Sequence, residues 1–282
     1  MERLTALVTD NKIPVGRTAR SGFDWLNDNA GWLFDAMAQA MEWMIDLILT
    51  ALSGPHPFLF ILLAVALTWL LQHSWRPCLL VAAGLLFILN QNYWTETLQS
   101  LTLVLSAGIL CMSIGVPIGI AAAHRPRLYA WLRPVLDLMQ TLPTFVYLIP
   151  AIVFFGIGTV PGLIATVIFV LPAPIRLTQL GISSTPRPLI EAATAFGATP
   201  RQLLWKVELP SALPQIMTGL NQTIMLSLSM VVIAALVGAS GLGVPVVRAL
   251  NSVNTALGFE SGIVIVIVAI LLDRMLRMEN RK

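Results

Sequence analysis

"EAATAFGATPRQLLWKVELP", residues 191–210, lies between two long apolar stretches and carries Gly197 and Pro210 where helices are apt to end. Upstream of the glycine, Leu189, Ala192, Ala193 and Phe196 share one face at helical spacing. Gly197 then stands where a left-handed C-terminal turn costs least. Downstream, Thr199-Pro200-Arg201-Gln202 reads as a helix start: Thr199 caps, Pro200 suits the first turn, and Gln202 holds the reciprocal capping-box position. Pro210 is expected to limit this second helix to about Glu208. The stretch is therefore a helical hairpin with a glycine corner. Ala192 and Ala193 keep its first arm thin enough to enter a groove, and Glu191 offers a charge to a basic partner. On these residues alone, an ordinary structured loop reads equally well.

The surroundings of the hairpin are membranous. Of 282 residues, 57% are hydrophobic and 11% charged, far from the balance of soluble domains. A bilayer core about 30 Å thick takes roughly 20 helical residues per crossing, which leaves room for several spans and no large soluble domain. Glu2, Arg3, Asp10 and Lys12 precede no apolar signal region, so insertion is expected through internal spans and not through a cleaved leader. Cys78 and Cys111 fall in apolar stretches and read as buried free thiols. His56, His73 and His124 lack metal-ligand spacing, so no metal is expected. The net charge of +3 is modest and gathers in particular connections, which speaks to topology and not to nucleic acid.

From Asp24 to Leu52 the chain reads as an amphipathic helix, with Leu33, Met37, Met41, Met44, Ile48 and Leu52 on one stripe and Asp28, Asp35, Glu42 and Asp46 on another. Its five acids and absence of Lys or Arg favour the outer side of the membrane, and Trp25, Trp32 and Trp43 suit an interface. It either lies on lipid or packs on the rest of the protein. Seven spans are expected after it, near 57–72, 77–90, 98–123, 135–156, 160–180, 213–239 and 259–275. Arg125, Arg127 and Arg133, then Arg187, Arg201 and Lys206, then Arg274, Arg277, Arg281 and Lys282 mark connections on the cytoplasmic side. That places the N-terminus outside and the C-terminus inside; Arg3, Lys12, Arg17 and Arg20 pull the other way.

Stretches 98–123 and 209–247 contain no Asp, Glu, Lys, Arg or His, and 135–180 holds only Asp137 and Arg176 of these. A mid-membrane charge costs roughly 2.5 to 3.5 kcal/mol, so retained charges mark ion or proton relays. With none here, the driving energy is expected from elsewhere. The spans instead hold Gly115, Pro117, Gly119, Pro143, Pro150, Pro172 and Pro174, which favour either kinks or close helix packing.

The string Glu191-Ala192-Ala193, Gly197, Val207 and Leu209-Pro210, at these spacings, resembles the EAA motif of the inner-membrane permease subunits of binding-protein-dependent ABC importers, with Val in place of the commoner Ile. "QTLPTFVYLIPAIVFFGIG" at 140–158, "VGASGLG" at 237–243 and "ILLDRM" at 270–275 resemble the glycine betaine, proline betaine and choline permeases in particular. The resemblance covers 98–275 and implies an all-α polytopic transmembrane bundle of about seven spans, a five-span type I importer core behind an N-terminal amphipathic helix. The corresponding division is a tail and acidic helix at 1–56, two additional spans at 57–97, the permease core at 98–275 with a coupling loop at 181–212, and a tail at 276–282.

The same resemblance implies that Glu191, Ala192, Ala193, Phe196 and Gly197 form a coupling helix seated on a separate cytoplasmic ABC ATPase, with Thr199, Pro200, Gln202 and Pro210 shaping the loop. ATP and Mg belong to that ATPase, and no cofactor is expected in this chain: Lys12, Lys206 and Lys282 follow Asn, Trp and Arg, so no Walker A Gly-Lys pair exists. One hairpin per chain against two ATPase subunits implies a permease homodimer. A periplasmic substrate-binding protein and the lipid bilayer of a bacterial inner membrane complete the expected partners. Thr141, Thr144, Phe145 and Tyr147, with Phe154, are candidates for the translocation path, although packing is the role that suits the aromatics better. Competing classes leave weaker traces. A secondary transporter calls for buried charges or inverted repeats, and a membrane enzyme for a catalytic constellation, neither of which is visible. Within the importer class, a permease for another small solute such as an amino acid is the alternative.

Overall fold

The computed structural model describes residues 15–276, so Arg3, Lys12 and the tail at 277–282 lie outside the described residues. Those described are helical, with short connections. Helix α1 (Val15–Ser53) is followed by α2 (Pro57–Gln72), α3 (Trp75–Asn90), α4 (Trp94–His124), α5 (Pro126–Thr141), α6 (Thr144–Phe155), α7 (Thr159–Val170) and α8 (Pro172–Ser183). The chain continues through α9 (Arg187–Ala195), α10 (Pro200–Leu203), a π-helical turn (Leu204–Glu208), α11 (Leu209–Ala235), α12 (Gly243–Ser252) and α13 (Thr255–Leu276).

Among the described residues, four continuous stretches are long and apolar enough to cross a membrane: Trp94–His124, Thr159–Ser183, Pro200–Ala235 and Thr255–Leu276. Two bent pairs raise the number to six, Gly16–Ser53 with Pro57–Gln72 at 98° and Pro126–Thr141 with Thr144–Phe155 at 95°. The shorter Trp75–Asn90 supplies a seventh apolar segment. At 16 residues, α2 and α3 each reach only about 24 Å, so they pair with one another and lean on α13. The expected span at 135–156 is not one rod. Pro143 removes a backbone donor and holds Leu142 extended, and the chain turns a corner there.

The bundle centres on α4, α8 and α11, which pack on one another along their lengths. Glycines decide the closest of these contacts. A Cβ on Gly119 would lie 2.6 Å from Thr178 Cβ and 2.7 Å from the Ile175 carbonyl oxygen, and one on Gly115 would lie 2.8 Å from Pro174 Cγ. The pair, four residues apart, lets α4 and α8 approach as small-residue motifs do in bilayers. Pro117 between them does not interrupt α4, so close packing, and not loosening, is what this stretch provides. Several buried hydroxyls are satisfied inside their own helices: Thr102 donates to Leu98 O at 2.8 Å, Thr166 to Gly162 O at 2.7 Å and Ser227 to Thr223 O at 2.7 Å.

Helix α1 packs on protein. Phe34 stacks on Phe154 with ring centroids 4.4 Å apart, Phe23 meets the same ring edge-on at 5.5 Å, and Ile45 is buried in the main core. The packed stripe runs through Phe34, Ala38, Met41, Met44 and Ile45, so Met41 and Met44 of the expected stripe pack on the core, while Leu33 and Met37 are exposed and Phe34 and Ala38 face inward in their place. Trp25, Trp32 and Trp43 stand on the uncovered side. Glu42 and Asp46 border the first turn of α7, beside a helix start that Gly158 leaves without a side-chain cap. Acids stabilise such a positive helix end.

Candidate functional site

The hairpin begins where α8 ends. Its first arm, α9, runs nine residues and stops in a Schellman turn: Gly197 N–H donates to Thr194 O at 2.9 Å and Ala198 N–H to Ala193 O at 3.0 Å. Gly197 carries φ of 78°, the left-handed value that a side chain resists. A capping box opens the second arm. Thr199 N–H donates to Gln202 Oε1 at 2.9 Å and Gln202 N–H to Thr199 Oγ1 at 3.4 Å, with Pro200 in the first turn.

Pro210 does not end the second arm, contrary to the expected stop near Glu208. A proline lacks the N–H that an α-helix needs and its ring collides with the carbonyl four residues back. Here the ladder widens instead into the π turn at Leu204–Glu208, with Leu209 N–H donating to Leu204 O, and the chain passes on into α11. The arm and the membrane helix are one element, Pro200–Ala235.

Helix α9 packs chiefly on α10 and the π turn. Its remaining surface is open: Glu191, Ala192 and Gly197 are exposed, Ala193 is half-buried, and Phe196 is 92% exposed. Leu189 and Trp205 are exposed beside them. A short helix offering two alanines, a carboxylate and an uncovered phenyl ring suits insertion into a groove of another protein.

A polar contact that no sequence pattern announces also ties the hairpin to the bundle. Glu208, buried at the end of the π turn, lies 2.9 Å from His124 Nε2 at the last turn of α4. Glu208 occupies an unspecified position of the motif, so pattern matching passes over it. Its signal was its place, an acid at the edge of the charge-free stretch 209–247.

The path candidates separate at the α5–α6 corner. Thr141 and Phe145 are exposed and Thr144 is half-buried. Tyr147 is buried, with its hydroxyl donating to the carbonyls of Met139 and, at 3.0 Å, Leu142. That side chain pins the corner, and Phe154 is covered by α1. Arg176 on α8 reaches Asp137 on α5 at 2.5 Å, fastening the same corner to the bundle.

The family model described as binding-protein-dependent transport system inner membrane component matches residues 115–278, a region that contains the whole hairpin. The chain belongs to this family. The permease is 44% identical to the glycine betaine/carnitine transport permease protein GbuB of Listeria monocytogenes serotype 1/2a (strain 10403S), over 96% of this chain and 94% of the relative. It is 46% identical to the glycine betaine transport system permease protein OpuAB of Bacillus subtilis (strain 168), over 94% and 93%. With the glycine betaine/proline betaine transport system permease protein ProW of Escherichia coli (strain K12) it shares 41% identity over 95% and 76%. Among solved structures, a chain of the MetNI methionine ABC transporter in inward facing conformations superposes with a TM-score of 0.58 at 25% identity, covering 65% of the permease and 94% of that chain. The permease is thus a multi-pass inner-membrane component of a transporter and not an enzyme, and membership implies ATPase and binding-protein partners.

Proposed function

We propose that the permease forms the translocation path of an ATP-driven importer for quaternary ammonium osmoprotectants of the glycine betaine class. The observation that carries the coupling part of this reading is the exposed helix α9 joined through its corner to an arm continuous with α11. Glu191, Ala192, Ala193, Phe196 and Gly197 would seat on a cytoplasmic ATPase, while Thr199, Pro200, Gln202 and Pro210 hold the arm's shape. The ATPase alone carries ATP and Mg. Two copies of the permease about a two-fold axis would present one hairpin to each ATPase subunit. Closure of the ATPases on ATP would then move both hairpins and switch the path between inward-facing and outward-facing states.

The substrate class is supported by three relatives above 40% identity whose names carry glycine betaine. Orientation follows the cationic connections, with the hairpin and C-terminus in the cytoplasm and the N-terminus outside. The division into an N-terminal region at 1–56, two added spans at 57–97, a core at 98–275 and a tail at 276–282 belongs to the same reading. Thr141, Thr144 and Phe145 are the residues we place nearest the path.

Proteoliposomes holding the permease with its ATPase and binding protein test this reading. They should accumulate labelled glycine betaine when ATP is supplied and the proton gradient is collapsed. Uptake that vanishes with the gradient while ATP persists would point to an ion-driven carrier and sink the proposal.

A further inference from the structure

We infer that His124 and Glu208 are a positioning pair that makes α4 follow the hairpin, a role that rests on the importer reading above. Glu208 is the one charged residue among the buried polar side chains of the described residues. It comes at the end of the π turn, 84 positions from its partner. His124 Nδ1 lies 3.0 Å from Ile120 O and Nε2 lies 2.9 Å from Glu208 Oε2. A carbonyl only accepts, so Nδ1 holds a proton. The contact at Nε2 then requires a second proton, on the ring or on the carboxyl. Either arrangement gives a directional link, and an ionised one is about twice as strong as a neutral hydrogen bond.

The surroundings make this link mechanical. Ile182, Ala212 and Ile216 form a buried apolar cluster, with Ile120, Leu204 and Leu209 packed against it, so the pair sits at the edge of a dry region. Helix α9 rests chiefly on its own second arm. A force on the hairpin therefore enters the bundle along the backbone into α11, through the apolar packing of Leu204 and Leu209 beside Ile120, and across the Glu208–His124 contact, the directional one of the three, into α4. The backbone route displaces α11. The directional contact carries α4, and with it α8, which is held against α4 at Gly115 and Gly119. Apolar packing can slide where a directional bond cannot, so without the pair α4 follows the hairpin less closely, and basal hydrolysis persists while its stimulation by the loaded binding protein is lost.

The test uses the full transporter in proteoliposomes, with glycine betaine as the probe, and compares basal ATP hydrolysis with hydrolysis stimulated by loaded binding protein. His124→Ala, at a half-exposed position, should assemble with the ATPase and keep its basal rate. Its ratio of stimulated to basal hydrolysis should fall about tenfold, and His124→Ala/Glu208→Ala should fall no further, because the two groups act as a unit. Glu208→Gln should restore the ratio to within about twofold of the original, since its amide donates to Nε2 of a neutral ring while Nδ1 still serves Ile120. A role limited to stability would not be rescued in this ratio. Full stimulation in His124→Ala overturns the inference alone, as does failure of that variant to assemble, which would make the contact a folding element. An unaltered transporter that shows no stimulation overturns the importer reading and this inference together.

Discussion

Ser100 accepts the backbone N–H of Leu242 at 2.8 Å, a buried hydrogen bond across 142 positions that ties the N-terminal part of α4 to the turn before α12. The "VGASGLG" stretch is shaped around this contact. Gly241 has φ of 128°, and a Cβ there would lie 2.5 Å from Ser100 Oγ. Replacing Ser100 by Ala leaves a buried donor without a partner, which costs about 1 to 3 kcal/mol. Ser113→Ala is the control: its hydroxyl is exposed and donates only to Ile109 O within its own helix. Thermal unfolding of the purified permease in detergent should show a clear loss for Ser100→Ala and none for Ser113→Ala. Equal midpoints would show that the Leu242 contact contributes nothing.

A second expectation concerns the α4–α8 contact. Gly119→Ala places a methyl against the Ile175 carbonyl, which is backbone and cannot rotate away, so the helices must separate. Overpacking of this kind costs about 1 to 3 kcal/mol. Gly108→Ala, in the same helix with nothing within 4 Å of the added carbon, should be neutral or stabilising by up to about 1 kcal/mol. The pair of variants separates crowding from helix propensity, and thermal midpoints that move together would deny the close approach.

The elements legible in the sequence are those whose signals are local. Arg76-Pro77, the cationic connection after His124 and the run between Leu209 and Ala235 all announce their neighbours through charge and hydropathy, and the helices fall there. The corner at Leu142–Pro143 was expected inside a single span, because one proline in an apolar run reads as a kink. The 95° break that Pro143 and the extended Leu142 make is held by the Tyr147 hydroxyl reaching back across it, a contact no periodicity reveals. Helix α12 leaves no trace in the pattern for a similar reason: ten residues with Arg248 among them carry too little hydropathy to stand out. At the hairpin the corner chemistry was visible. Its continuity with α11 was not, since a proline is a stop signal in every local rule and only a π turn evades it.

The third prediction isolates that corner. Gly197 has open space around its Cβ position, so any effect of substitution there reports backbone strain and not a clash. Left-handed backbone costs an L-residue about 1 to 2 kcal/mol, less for Asn, and the hairpin is exposed enough to unwind locally instead of lowering global stability. Gly197→Val should therefore leave the thermal midpoint nearly unchanged while strongly reducing binding-protein-stimulated ATP hydrolysis. Gly197→Asn should retain most of it. If Val and Asn behave alike in the ATPase assay, the corner's shape is not what couples the two subunits.

Tyr147 and Phe145 sit two residues apart at the corner and give a final, paired test. Tyr147 is buried with its hydroxyl on the carbonyls of Met139 and Leu142, whereas Phe145 is 56% exposed. Tyr147→Phe keeps the ring and deletes the hydroxyl, so it should cost about 0.5 to 1.5 kcal/mol in unfolding while changing transport only in proportion to folded protein. Phe145→Ala removes a ring that covers little, so stability should hold. If that ring borders the path, the apparent affinity for glycine betaine or the rate of uptake should change. Thermal melts and initial uptake rates on the same preparations decide between them: a stability loss at Phe145 with none at Tyr147 would reverse the two roles.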